Sequence, residues 1–467
     1  MDLSVMFFGA DAAGAAASPA GGDAAAGGDA AAGGDAAAGG DAAAGGGGSG
    51  GGGRTAGAGT GTGAGAGAGT GAGAGLNGAP GAGPAANART DAGLGTGHST
   101  STGTGTGTGT GTNSSTRTRT ADGSSPVARS GGGFGGHAGA YEDILAVARA
   151  ADRLGFHAVW TPERHFQQVG QVFPSPPVLS AALAVATERI AIRAGSVVLP
   201  LHHPLRVAED WAVVDNLSHG RVGLSVATGW HSADFAVSPG AYADRRARML
   251  RDVPVLRRLW AGEAVEYADG TGQPVAVRPM PRPVQPVLPL WLTTSGSPET
   301  WEAAGRLRAG VLAATVGQSR EELAGKIARY RAACAAAPEQ GGTGPHGRVT
   351  LMAHTFVGED DEHARRLVAG PLKAYLRSYV RQTSANRSAD DRTAALTGEQ
   401  TAMLAEFAYR RYLTWGSLLG SAETCRTMLT DLRDLGADEV ACFIDFGLGR
   451  DDVLAGLHRL AALREGL

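Results

Sequence analysis

Titratable and hydroxyl-bearing side chains gather in a few short stretches of this sequence, each at the end of an apolar run. Trp160-Thr161-Pro162 leads into Glu163-Arg164-His165-Phe166, and Gly195-Ser196-Val197-Val198-Leu199-Pro200-Leu201 leads into His202-His203-Pro204. Ala227 leads into Thr228-Gly229-Trp230-His231, and Thr293-Thr294 into Ser295-Gly296-Ser297-Pro298-Glu299-Thr300. His165 can exchange protons near neutral pH. Arg164 stays protonated and cannot serve as a base there, but its charge can stabilise an anionic species. His231 is a second candidate for acid–base work. His202 and His203, directly before Pro204, read as loop or capping residues, and with His231 they present no recognisable metal-ligand spacing. Ser295 or Ser297 before Pro298 reads as a helix N-cap. Trp230 by itself reads as core, and Gly195 as relief of crowding inside a barrel.

The elements that must position these residues alternate between strand and helix. Leu3–Phe8 is an apolar run of strand length. A helix over Tyr141–Leu154 puts Ile144, Leu145, Ala148 and Ala151 on one face and stops at Gly155. Strands are expected at His157–Thr161, Ile190–Leu199 and Arg221–Ala227, with helices at Pro176–Thr187 and from Pro204 to Gly220 between them. Gly223, Ser225 and Ala227 share one face of the fourth strand, which suits a crowded interior or a close ligand. A helix over Tyr242–Trp260 precedes a polar excursion, Gly262–Pro289, whose Asp269-Gly270 pair predicts a hairpin. Strands then follow at Leu290–Thr294, Gly310–Thr315, Val349–Val357 and Glu439–Asp445. Their helices start at Pro298, cover Arg320–Ala335 and Ala422–Leu435, and carry Val453, Leu457 and Leu460 in the last; a mainly helical excursion fills Asp360–Leu419. Eight strand–helix units predict an α/β fold, a single (β/α)₈ TIM barrel, with chemistry at the C-terminal ends of the strands. A doubly wound sheet would want a Gly-rich phosphate turn that opens a helix, and the Gly-x-Gly triplets here follow from composition alone.

That composition is uneven. Of 467 residues 75 are Gly, and they crowd between Gly9 and Gly139, where a hexad repeats at Gly21–Ala26, Gly27–Ala32, Gly33–Ala38 and Gly39–Ala44. With almost no large apolar side chains, residues 10–138 cannot offset the entropy of ordering and are expected to be a disordered insert. The barrel then consists of a first strand in residues 1–9 and the remainder in 139–467, roughly 340 residues with one core. The insert falls in the first strand-to-helix loop, and closing so long a loop costs little more than closing a short one. A net charge of −3 argues against a nucleic-acid surface. Three scattered cysteines fit a reducing compartment, no run is long enough to cross a membrane, and Met1 to Phe8 has no preceding basic residue, so a cytoplasmic location is expected.

Taken together, the stretches resemble the bacterial luciferase-like flavin monooxygenases, in the branch associated with peptide and polyketide synthetase pathways. The resemblance is carried by Thr161–Phe166, by Gly195–Pro204, by Ala208-Glu209-Asp210-Trp211 with Asp215-Asn216-Leu217-Ser218, by Gly220–Gly223, and by Thr228–His231. Tyr242–Arg246 and Cys442–Gly447 extend it, so that it spans Leu3–Phe8 and nearly everything from Tyr141 onward. It implies reduced FMN, supplied by a separate flavin reductase, held at the strand ends with its ring over a cis peptide at Gly195–Ser196. It further implies that Thr228, Gly229 and Trp230 touch the flavin and that Ser295, Gly296 and Thr300 at a helix start bind its phosphate. The family's catalytic histidine falls in a Glu-His-His-Phe run. Here that run is Glu163-Arg164-His165-Phe166, so Arg164 takes the first His position and His165 the second.

The expected activity is oxidation, by reduced flavin and O₂, of a small-molecule or carrier-protein-bound substrate, in secondary metabolism. Expected partners are the reductase and a second copy of the chain in a homo-oligomer, with neither nucleic acid nor membrane. The insert and the Asp360–Leu419 excursion are candidates for a lid. A deazaflavin-dependent oxidoreductase and a non-catalytic flavin-binding accessory protein are the alternatives. A metal-dependent hydrolase is disfavoured, because Leu3–Phe8 offers no ligand.

Overall fold

The structure, a computed structural model, describes residues 1–7, 136–166, 172–294, 296–338, 344–391 and 396–464. All of them belong to one compact unit made of 1–39 and 128–467; the second unit, 40–127, lies outside the described residues. The bulk of the expected insert therefore lies outside them, as does Ser295.

Strands β1 (Asp2–Met6), β2 (Ala158–Thr161), β3 (Ala191–Val198) and β4 (Val222–Ala227) pair in sequence order, all parallel. The short hairpin β5 (Val265–Ala268) and β6 (Pro274–Val277) stands apart. Its Asp269 carboxylate accepts from the backbone N–H groups of Thr271 and Gln273, which closes the expected turn. The parallel sheet continues through β7 (Leu290–Thr294), β8 (Gly310–Ala314), β9 (Val349–Val357) and β11 (Glu439–Phe443), and β11 pairs back onto β1. Eight parallel strands thus close into a barrel, with β10 (Leu418–Gly420) added along the end of β9. That short strand emerges from a segment the sequence reads as helical excursion, because three residues carry no periodicity.

Helices α1 (Gly136–Arg153), α2 (Pro176–Ala186), α3 (Pro204–Leu217) and α4 (Arg245–Ala261) follow the first four strands. The last begins three residues after the expected Tyr242, which instead follows a short 3₁₀ turn, and ends on Gly262 at φ +86°, a conformation glycine adopts freely. Around the rest of the barrel lie α5 (Pro298–Arg306), α6 (Arg320–Ala336), α7 (Asp361–Asp391), α8 (Gly398–Thr414), α9 (Ala422–Asp434) and α10 (Arg450–Arg464). Ser319 and Glu322 form a reciprocal capping box that fixes where α6 starts. Val453, Leu457 and Leu460 are buried against the sheet, as their spacing predicts.

The barrel interior is filled, not hollow. At its N-terminal end the Arg193 guanidinium lies between the Trp160 and Trp291 rings, 4.9 and 4.5 Å from their centroids. Both oxygens of the buried Glu439 carboxylate accept from Arg193 at 2.9 Å, and Oε2 also accepts from Arg348 at 3.0 Å. Ser4 donates to the same carboxylate. The small residues of β4 earn their place here: a Cβ on Gly223 would sit 3.0 Å from Trp291.

Candidate active site at the C-terminal ends of the strands

Because the barrel strands are parallel, the stretches that follow them emerge at one end. After β2, Glu163 is buried and turns toward β3. Its Oε2 accepts from the Val198 backbone N–H at 2.6 Å, and its Oε1 is shared by Nε2 of His165 at 2.9 Å and Nε2 of His202 at 2.6 Å. Burial by itself would raise this carboxyl; the hydrogen bonds from His165 and His202, the charge of His202 and the Val198 N–H outweigh it and hold Glu163 below its ordinary value. His202 lies in the loop before Pro204, as expected, with its backbone N–H capping the Leu199–Leu201 turn, and its ring in addition binds Glu163, 39 residues back in the chain. His203 does cap α3, accepting from the Leu205 N–H at 3.3 Å.

Arg164 points the other way. Its guanidinium carbon lies 5.7 Å from the Trp230 ring centroid, and its charge is felt together with Asp234 and with Tyr375 and Tyr379 of α7. Burial pushes Arg164 down from its ordinary value while those acidic neighbours oppose the shift. Trp230 is 38% exposed, so it is not core; it packs edge-on against His231 at 5.4 Å, and its ring is tilted against that of Tyr379 at 6.1 Å. His231 Nδ1 is 3.5 Å from Asp234. Arg164, Trp230 and His231 are thus one cluster under α7, part of the excursion the sequence offered as a lid.

Inside the barrel, the Gly195–Ser196 peptide is cis, and the β3–β4 register shifts there, between Gly195 and Val197. The crowding reading of Gly195 holds as well, because a Cβ would meet Met6 Cε at 2.8 Å and Trp160 at 3.1 Å. Ser196 shares a hydrogen bond with the Thr293 hydroxyl, which in turn meets Ser225 at 2.6 Å, a chain of three hydroxyls across β3, β7 and β4. Thr228 is half-buried at the end of β4. Gly229 has φ +79°, and a Cβ there would run into Phe235 at 2.7 Å and Val198 at 2.8 Å, so only glycine fits the turn.

At the end of β7, Gly296 is exposed with open space around it, and Thr300 is buried in the first turn of α5. Ser297 occupies the N-cap position but makes no capping bond; its hydroxyl donates to Glu299 at 2.6 Å instead. The capping role expected for Ser297 is therefore not taken up, and no side chain of the cap residue satisfies the amides that begin α5.

One residue of this end went unread in the sequence. His354 of β9 is fully buried inside a box of Tyr375, Tyr412, Phe443 and Phe446, with ring centroids 5.0 to 5.5 Å away. Neither of its ring nitrogens has a hydrogen-bond partner among the described residues, and burial pushes it down to about 3. A lone histidine in an apolar strand carries no spacing signal. Among the described residues no group of histidine, cysteine and carboxylate side chains is placed to hold a metal ion, and no helix is long and apolar enough to cross a membrane.

A relative from Acinetobacter baylyi, the oxygenase component of a flavin-dependent trigonelline monooxygenase, is 25% identical over 323 residues, 68% of this chain and 88% of its own. The monooxygenase RslO1 of Streptomyces bottropensis superposes with a TM-score of 0.58 at 24% identity, covering 71% of this chain and 95% of that one. An F420-dependent secondary alcohol dehydrogenase superposes with a TM-score of 0.54 at 16% identity over 69% of this chain and 94% of that one. These two structural likenesses speak for the barrel alone. A family model described as luciferase-like monooxygenase matches residues 110–439, more than half of the sequence. The chain belongs to the luciferase-like monooxygenase family of flavin-dependent enzymes.

Proposed function

We propose that the chain is the oxygenase of a two-component system, taking reduced FMN from a separate flavin reductase and using O₂ to oxidise a small organic or carrier-bound substrate of secondary metabolism. The observation that carries this reading is the convergence, at one barrel end, of a half-buried cation against an aromatic ring, a hydroxyl chain across three strands and a helix start without a side-chain cap. Such a donor set suits FMN. Gly296, Thr300 and the first amides of α5 would hold its phosphate, and Ser196, Thr228, Gly229 and Trp230 would line its ring. The chemistry supplied by the bound reduced flavin is two-electron reduction of O₂ with transfer of one oxygen atom to substrate.

The chain's own residues supply the surroundings. Arg164 holds a fixed positive charge where an anionic or oxygen-rich species would lie, in a water-poor setting that strengthens it. His165, anchored through Nε2 to Glu163, exchanges a proton at Nδ1. His231, paired with Asp234, is the second acid–base group. Tyr375 and Tyr379 of α7, close to Arg164 and Trp230, exclude water from that end. The name of the A. baylyi relative, an oxygenase component, supports the separate reductase. A deazaflavin oxidoreductase is the second reading, since an F420-dependent enzyme is built on the same barrel.

The test supplies reduced FMN from a flavin reductase in air and follows oxygen uptake and hydrogen peroxide release. The expected outcome is uptake above the reductase-only rate, with peroxide falling when a candidate substrate is oxidised. Flavin binding with no change in oxygen chemistry for any substrate class would instead make the chain an accessory protein.

A further inference from the structure

Around the closed barrel β9 lies four strands from β3 in either direction, so His354 faces the cis peptide from the opposite wall. Thr350 of β9 reaches the Glu439 carboxylate inside the barrel at 3.4 Å, and side chains an even number of residues apart share a face, so His354 points inward too. It pairs with Phe443, and Phe443 with Met6, whose Cε lies against Gly195. Histidine and cis peptide thus belong to one layer of the interior, at the end that holds the site. The four rings around His354 leave both its nitrogens without a partner among the described residues, where a phenylalanine would fill the same box at no such cost. Arg164 and Asp445 act on Tyr375 and not on the histidine, which burial keeps neutral, with one N–H and one bare nitrogen.

The aromatic rings continue outward from this box. Tyr375 stacks on Tyr379 at 6.4 Å, and Tyr379 meets Trp230 at 6.1 Å. His354 and Tyr375 are buried, whereas Tyr379 and Trp230 are exposed, so the path opens at the barrel mouth. Tyr375 closes the box from α7, one turn after Pro371, which has no N–H to bond the Leu367 carbonyl and so weakens the helix there.

We propose that His354 is a substrate-binding residue, and that the box under Tyr375 takes the ring of an uncharged aromatic alcohol whose hydroxyl bonds the imidazole. A flat ring replaces that of Tyr375 against Tyr412, Phe443 and Phe446 once the turn of α7 gives way. A hydroxyl both donates and accepts, so it fits the histidine in either tautomer. A carboxylate would lose its water with no counter-charge at the imidazole. A cationic ring would be held by the aromatic faces but would leave the imidazole unbonded. The inference rests on the reading of this barrel end as the site of oxidation, with the bound ring between His354 and the wall assigned to flavin.

The test measures binding of para-cresol, toluene, para-toluate and N-methylpyridinium to the full-length chain by calorimetry at neutral pH, without flavin. In the wild type para-cresol is expected to bind about tenfold tighter than toluene, the worth of one hydrogen bond to a buried group. In His354→Phe, which keeps the aromatic wall, that advantage should vanish while toluene binds as before. In His354→Asn, which keeps a donor and an acceptor, part of it should return. Absence of para-cresol binding, equal affinity for toluene, a preference for either charged ring, or an advantage that survives in His354→Phe overturns the proposal. An anaerobic titration with reduced FMN keeps the underlying reading apart, since His354→Phe should bind FMN like the wild type. Should FMN fail to bind while the para-cresol preference still follows His354, the box stands and the flavin reading falls.

Discussion

Glu439→Ala is expected to destabilise the chain by about 3–5 kcal/mol, the cost of leaving a buried charge without its partner. The carboxylate lies at the N-terminal end of the barrel interior, wholly out of water, where burial by itself would raise it. Arg193 and Arg348 nevertheless hold it down at about 2, aided by Ser4 and His157. Arg193 cannot escape to solvent, because the rings of Trp160 and Trp291 enclose it. Removing the carboxylate therefore strands a guanidinium in a low-dielectric interior. The loss should appear as a lowered denaturant midpoint at neutral pH, with an unchanged slope. Replacing both partners, Glu439→Leu with Arg193→Met, should cost much less than Glu439→Ala, since no charge is left behind. A loss below about 1 kcal/mol in the single variant would show that the cluster is solvated. The folded carboxyl is depressed, so its contribution is present above the unfolded value near 4.5 and is lost as pH falls toward about 2.

The cluster also shows what the sequence could and could not disclose. Arg193 sits in the middle of the apolar run Ile190–Leu199, and Glu439 opens the last strand; each breaks a hydrophobic pattern at a position that faces the interior. Neither charge names its partner, because 246 residues separate them. The barrel itself was legible, since strand-length apolar runs alternating with helices need no knowledge of distant contacts. The cis peptide at Gly195–Ser196 and the chemistry-bearing strand ends came through the resemblance to a family, which already encodes the tertiary arrangement. The bond from His202 to Glu163 was not legible for the opposite reason. The neighbours of His202, Pro200 and Pro204, speak of a loop, whereas its partner Glu163 follows a different strand. Residue type alone places Trp230 in a core and the resemblance places it against a flavin; its position beyond the end of β4 leaves it partly in solvent. Period and composition report local structure, and side-chain partners across a barrel are not local.

His354 carries the other large effect. In the folded chain burial depresses it from 6.5 to about 3, so the native state binds no proton there while the unfolded chain does. Stability is therefore full above about pH 6.5 and falls by about 1.4 kcal/mol per unit as pH drops from there toward 3. Unfolding in denaturant at about pH 7.5 and about pH 5 should reveal a difference of about 2 kcal/mol from this one group. In His354→Leu that share of the pH dependence should vanish, and stability at neutral pH should rise, because two unpartnered ring nitrogens leave the core. His157 and His346, also depressed by burial, and the raised His202 titrate in both proteins, so they cancel in the comparison. An identical pH dependence in the two would place His354 in contact with water or a proton-sharing partner.

If the strand ends form a site for reduced FMN, the cofactor should bind the chain without substrate. The most direct measurement is an anaerobic calorimetric titration of the full-length chain with reduced FMN and, separately, with reduced F420. Saturable binding of one FMN per chain is expected, weakened when Gly229 is replaced by Val, with no saturable binding of F420. Tight F420 binding with none for FMN, or FMN binding indifferent to that substitution, would contradict it.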